Sequence, residues 1–121
     1  MRHDSSYLMD ALRALDDLEQ FMSQTNRERF MTQPLEQSFV FHRLVIIGEA
    51  TVQLAREFQL THPEVPWASL IALRNRLVHA YFDLDQALLW DAVDRGMSSL
   101  RGQYAQILQD EFPGSHSTSE T

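Results

Sequence analysis

The chain has 121 residues, 44% of them hydrophobic, and a formal net charge of −7. That describes one domain able to bury a continuous core, and too acidic to coat nucleic acid through its general field. Cysteine is absent, which excludes disulfides, thiol catalysis and zinc–thiolate sites and fits a cytoplasmic protein. No run of apolar residues is long enough to span a bilayer, so no membrane association is expected. Met1 to Ser6 is not followed by an apolar stretch, so no signal peptide is expected.

The acidic residues gather at the two ends of the chain, in Asp10, Asp16, Asp17 and Glu19 and again in Asp83, Asp85, Asp91, Asp94, Asp110 and Glu111. The middle third carries Arg43, Arg56, Arg74 and Arg76. Any contact with RNA would therefore have to come from a local basic patch, and the same pattern also fits an acidic surface with scattered arginines.

Residues 6 to 24 repeat Leu8, Ala11, Leu12, Leu15, Leu18, Phe21 and Met22 at helical spacing, with Asp10, Asp16, Asp17 and Glu19 opposite. This predicts an amphipathic helix. Residues 26 to 33 predict a turn or a short helical piece. Residues 34 to 60 form the longest helical pattern, with Pro34 in its first turn. Val45 to Ile47 is apolar nearly all round, which marks a central helix. Gly48 within it costs about 1 kcal/mol against alanine, and a glycine there usually permits a neighbouring helix to come close. Residues 61 to 66 form a loop with Pro63 and Pro66. A third helix is predicted from Pro66 to Tyr81. Residues 82 to 85 break it, with Asp83 or Asp85 available as the next N-cap. The last helix carries Leu88, Leu89, Ala92, Val93, Met97, Leu100, Tyr104, Ile107 and Leu108 and ends near Phe112-Pro113-Gly114. Residues 113 to 121 are small and polar and predict a disordered tail. The expected architecture is all-α, an antiparallel up-down four-helix bundle filling residues 1 to 112.

The third helix holds Leu73-Arg74-Asn75-Arg76-Leu77-Val78-His79-Ala80-Tyr81. At ~100° per residue, Trp67, Leu70, Ile71, Leu73, Leu77 and Val78 share one arc of roughly 160°. Arg74 and Tyr81 lie near the middle of that arc. An arginine so placed is paired, functional, or at a mouth where the seam meets water. His79 lies ~140° round from Arg74 on a regular helix. The two converge on one small ligand only if the helix loosens or a second copy of the chain supplies part of the site.

No pair among His3, His42, His62, His79 and His116 has zinc-ligand spacing, so no metal or cofactor is expected. No Gly-rich phosphate loop occurs either. Arginine stays charged and grips phosphate bidentately, and histidine titrates near neutrality and serves as base or acid. These residue types suit metal-free phosphodiester cleavage, in which a base takes the ribose 2′-hydroxyl proton and cations stabilise phosphoryl charge. The same set on a helix also fits a purely structural role.

The stretch from Val45 to Trp90 resembles the HepT-like branch of the HEPN superfamily. The likeness runs through Ile46-Ile47-Gly48-Glu49-Ala50, Pro63-Glu64-Val65-Pro66-Trp67, Arg74-Asn75-Arg76-Leu77-Val78-His79-Ala80-Tyr81-Phe82, Asp85 and Trp90. It implies a helical bundle that dimerises with two motif helices facing across a composite cleft. It implies a metal-independent endoribonuclease toxin of a toxin–antitoxin pair, cutting by 2′-hydroxyl attack. It also implies a partner, a minimal nucleotidyltransferase antitoxin that transfers AMP to Tyr81. On this resemblance Arg74 and His79 are catalytic, and Tyr81 positions substrate and accepts AMP. Asn75 binds phosphate or locks the helix, and Arg76 is an RNA contact or a solvated charge. Glu49 supports Arg74 through a carboxylate–guanidinium pair. A different class stays open, a non-catalytic helical module that holds a nucleotidyltransferase or its substrate.

Overall fold

The computed structural model describes residues 3–79 and 83–114, and its secondary structure is helical, with no strand among the described residues. The first helix, α1 (Asp4–Met22), follows the predicted stripe and buries Leu8, Ala11, Ala14, Leu15 and Leu18. The short piece expected next is one helical turn, α2 (Arg27–Phe30), capped by Asn26, whose Oδ1 accepts from the Arg29 N–H at 2.8 Å. Phe30 is fully buried and meets Trp90 at a ring-centroid distance of 5.4 Å.

The long helix expected over residues 34 to 60 is two helices, α3 (Pro34–Gln53) and α4 (Arg56–Thr61). Leu54 between them is extended at φ −65° and ψ 135°. The break turns Leu54 and Phe58 both into the core, at 4% and 7% exposure. Side chains take over the backbone groups that the helix gives up: Asp4 Oδ1 accepts from the Ala55 N–H at 3.2 Å, and Gln59 Nε2 donates to the Leu54 carbonyl at 3.2 Å. Apolar periodicity alone cannot register such a break, because Leu54 and Phe58 fit the stripe in either conformation.

The motif helix is α5 (Trp67–His79). Asp85 caps α6 (Gln86–Ala92), with its Oδ1 accepting from the Ala87 N–H at 2.9 Å. A π-helical turn, Val93–Met97, joins α6 to α7 (Ser98–Glu111), so the final stripe is one rod with a widened turn in it. The expected tail lies, beyond Gly114, outside the described residues.

Helix α1 packs along α3 and α7, and α3 also carries α5 and α6. The core sits between them and includes Leu8, Leu15, Leu44, Ile47, Leu100 and Tyr104. Ion pairs staple its edges: Arg43 Nε to Asp17 at 2.9 Å ties α3 to α1, and Arg101 to Asp16 ties α7 to α1. The Asp16 carboxylate, by hydrogen bond and charge, holds the Arg101 guanidinium above its ordinary pKa. Helix α5 leans chiefly on α3, and this sets the character of the site.

Candidate active site

Gly48 fixes how closely α5 approaches α3. A Cβ on Gly48 would lie 2.7 Å from Arg74 Cβ and 2.9 Å from its Cγ. Real Cβ atoms do not come that close, so the stem of Arg74 rests in a space that only glycine leaves. The next residue along α3 completes the contact. Arg74 Nε donates to Glu49 Oε1 at 2.8 Å, and Arg74 Nη1 donates to Asn75 Oδ1 at 3.0 Å. The Arg74 side chain keeps 28% of its surface exposed and that of Glu49 42%. The guanidinium is thus held at Nε and Nη1, while its Nη2 makes no hydrogen bond among the described residues. A cation fixed at two of its nitrogens, with its third unpaired and part of its side chain in water, is suited to meeting an anion.

The expected pair between Arg74 and Glu49 is present, and Asn75 adds a second acceptor beside it. Asn75, Arg76 and His79 are exposed on the outer face of α5, together with Ala68, Ser69 and Ala72. Arg76 and His79 stand in its last turn, where positive charge complements the helix dipole. The apolar arc is narrower than its sequence pattern. Leu70 and Leu77 are buried, Ile71 and Leu73 half-buried, and Val78 is 43% exposed. One supporting helix does not cover an arc of roughly 160°, so Val78 is left at the edge.

The helix is regular through His79, so the ~140° separation of Arg74 and His79 stands. Within one chain the two side chains therefore leave α5 in different directions. Tyr81 lies outside the described residues.

Two further polar groups were not singled out by the sequence pattern. His62 is 9% exposed, with Nε2 2.7 Å from Glu111 and Nδ1 3.5 Å from Glu64, though Nε2 is out of line for a hydrogen bond. Its ring lies against Phe58 at 4.6 Å, and its carbonyl accepts from the Trp67 indole N–H at 2.8 Å. It fastens the loop before α5 to the end of α7. Tyr104 is fully buried and shares a 2.9 Å hydrogen bond with Thr51. Burial pushes its phenol up to about 12, against a smaller lowering by the Thr51 bond. Neither residue has a chemical motif around it in the sequence; only the packing reveals them. Among the described residues, no group of three or more His, Asp or Glu side chains is arranged to hold a metal ion.

These features define a helical protein with a partly exposed cationic site on one outer helix. The chain belongs to the HepT-like ribonuclease family: a family model described as "Ribonuclease HepT-like" matches residues 11–107. It is 34% identical over 106 residues to "Probable ribonuclease HepT" of Thermococcus cleftensis, covering 88% of this chain and 96% of that protein. It is 30% identical over 111 residues to a protein of Caldanaerobacter subterraneus named as a candidate RNase, covering 92% and 99%. A similarly named protein of Methanocaldococcus jannaschii is 31% identical over 100 residues, covering 83% and 92%. No solved structure matches the chain. No helix among the described residues is long and apolar enough to cross a membrane.

Proposed function

We propose that the protein is an endoribonuclease of the HEPN type, acting as the toxin of a toxin–antitoxin pair and cutting RNA without a metal ion. The observation that carries this reading is the Arg74 guanidinium, anchored by Glu49 and Asn75 and turned partly to solvent on the helix that also exposes His79. His79 takes the proton from a ribose 2′-hydroxyl, and the 2′-oxygen attacks the adjacent phosphorus. The bond from phosphorus to the 5′-oxygen breaks. The leaving oxygen takes up a proton, which a second imidazolium or water supplies. The products are a 2′,3′-cyclic phosphate and a 5′-hydroxyl end. Arg74 steadies the charge that builds on the phosphoryl oxygens, in the manner of a preorganised oxyanion site.

Because α5 stays regular, the reading requires a homodimer. A second copy lays its α5 against the first, so that Arg74 of one chain and His79 of the other share a cleft within an up-down helical bundle. The outer face of α5 is compatible with that approach, since Ala68, Ser69 and Ala72 are small and exposed. Arg76 lies on the same face and contacts the RNA backbone. Asn75 acts mainly through Arg74. Tyr81, two residues beyond His79, positions substrate and accepts AMP from a nucleotidyltransferase antitoxin. The added phosphodiester and nucleotide would occupy the cleft and compete for Arg74.

The test is purified protein with bulk RNA in chelator. Wild type should cut it and leave cyclic-phosphate ends. His79→Ala should cut at least ~100-fold more slowly, with unchanged melting temperature because the side chain is exposed. Full-rate cleavage by His79→Ala would remove the assigned role.

A further inference from the structure

The imidazole of His42 stands exposed on α3, seven residues before Glu49. Seven residues make close to two full turns, so the two side chains share a face of α3, about 10 Å apart along it. Glu49 is the residue that holds Arg74 of α5. Beyond α5 the chain comes back beside the first half of α3, where Leu84 and Gln86 lie next to Phe41 and His42. Helix α5 therefore runs back along α3, and its His79 end lies toward His42. Arg74 and His42 thus mark out one line along the proposed cleft.

The ring is held in place. Arg43 Nη1 lies 2.9 Å from His42 Nδ1. A guanidinium has protons to give and no acceptor, so Nδ1 accepts this bond. The imidazole then carries its own proton on Nε2. Arg43 is itself fixed from two other sides. Its Nε donates to Asp17 at 2.9 Å, and its guanidinium carbon stands 4.6 Å from the centre of the Phe39 ring. The staple between α1 and α3 is complete without the imidazole. What the imidazole adds is an oriented N–H on an exposed side chain, with no hydrogen bond at Nε2 among the described residues.

We infer that His42 is a further RNA-binding residue, whose Nε2–H donates to a phosphate oxygen neighbouring the scissile one. With Nδ1 occupied, the ring offers one donor and no acceptor. A base edge sets donors and acceptors side by side, whereas a phosphate presents acceptors alone. The Arg43 charge behind the ring polarises the N–H toward such an oxygen. Backbone contacts of this kind fix the register of a strand without reading its sequence. His42 would hold the strand so that one linkage falls between Arg74 and His79. The inference rests on the ribonuclease reading for its ligand.

Binding is measured apart from cutting in the His79→Ala protein, with short labelled RNAs in chelator. Adding His42→Ala should weaken binding about tenfold, alike for RNAs of different sequence, with an unchanged melting temperature. His42→Gln, which keeps an amide N–H near the place of Nε2, should recover most of the loss. RNAs with one neutral methylphosphonate on a 2′-deoxy sugar, set against the matching deoxy phosphate, locate the contact. One position should weaken binding by the protein that retains His42 and leave the His42→Ala protein little changed. Long-range proton–nitrogen spectra should show His42 protonated on Nε2. Unchanged binding in His42→Ala, a loss that no single methylphosphonate reproduces, or a ring protonated on Nδ1 overturns the assignment. A loss confined to particular sequences overturns the phosphate contact in favour of a base. A wild-type protein that neither binds nor cuts RNA overturns the ribonuclease reading itself. One that cuts RNA, while His42→Ala binds as well as its parent, overturns the His42 contact alone.

Discussion

Glu49 and Thr51 stand two residues apart on α3, about 200° round the helix from each other, and each binds a single polar partner. Thr51 faces inward, where its hydroxyl and that of Tyr104 lie 2.9 Å apart and both residues are fully buried. Glu49 faces the rim, where it holds Arg74, whose side chain keeps 28% of its surface exposed. A buried hydroxyl pair matters to stability, because losing one partner strands the other away from water. A half-exposed ion pair adds about 1 kcal/mol at most. What it does supply is a fixed direction for Arg74. About half a turn of α3 therefore separates a group that holds the fold together from a group that aims the proposed chemistry.

The largest expected effect on the buried side comes from pH. The Tyr104 phenol is raised from its ordinary 10.0 to about 12 by burial. Below pH 10 it is neutral in both folded and unfolded chains. Between pH 10 and 12 only the unfolded chain sheds the proton, so stability falls as pH rises through that window. The loss amounts to about 3 kcal/mol in all. No lysine is present to titrate across the same range. Urea melts at pH 9, 10, 11 and 12 should show the slope in wild type and lose most of it in Tyr104→Phe. An unchanged slope in the variant would mean that Tyr104 does not belong on the stability side of the comparison.

Gly48→Ala probes the boundary between the two sides. Its Cβ would meet Arg74 Cβ at 2.7 Å, so α5 must move outward or Arg74 must shift. Overpacking of this kind costs about 1–3 kcal/mol, offset by about 1 kcal/mol of gained helix propensity. The expected outcome is a modest fall in melting temperature with a fall in RNA cleavage larger than stability alone would give. Cleavage that stays at the wild-type level would show that the direction of Arg74 tolerates displacement.

Glu49→Gln should change stability least, by under about 1 kcal/mol. It keeps the shape of the side chain and removes the charge that anchors Arg74. Cleavage should drop about tenfold, mostly in kcat, since the loss falls on an interaction that matters in the transition state. A melting temperature that falls as far as that of a core variant would move Glu49 to the other side of the comparison.

The helices were largely legible because Leu8, Leu15 and Leu18, and Leu100, Tyr104 and Ile107, repeat with the helical period and are buried as that period requires. The pairing of Glu49 with Arg74 was legible for a different reason, since a cation in an apolar seam needs a counter-charge. The break at Leu54 was not, because the core accepts Leu54 and Phe58 from either backbone path. The exposure of Val78 was not, because periodicity records which residues share a face and not how many neighbours that face meets. His42 gave no signal either: its bond with Arg43 exists only once both side chains have been placed.

The central claim is that Arg74 and His79 act together only across two chains. Mixing Arg74→Ala protein with His79→Ala protein tests it directly, once subunit exchange has been confirmed by mass. Each variant alone should be inactive. In a mixed dimer one cleft would carry both lesions and the other neither, so the mixture should recover up to about a quarter of wild-type cleavage. If the mixture exchanges subunits and stays as inactive as its components, Arg74 and His79 do not form a shared site and the account is wrong.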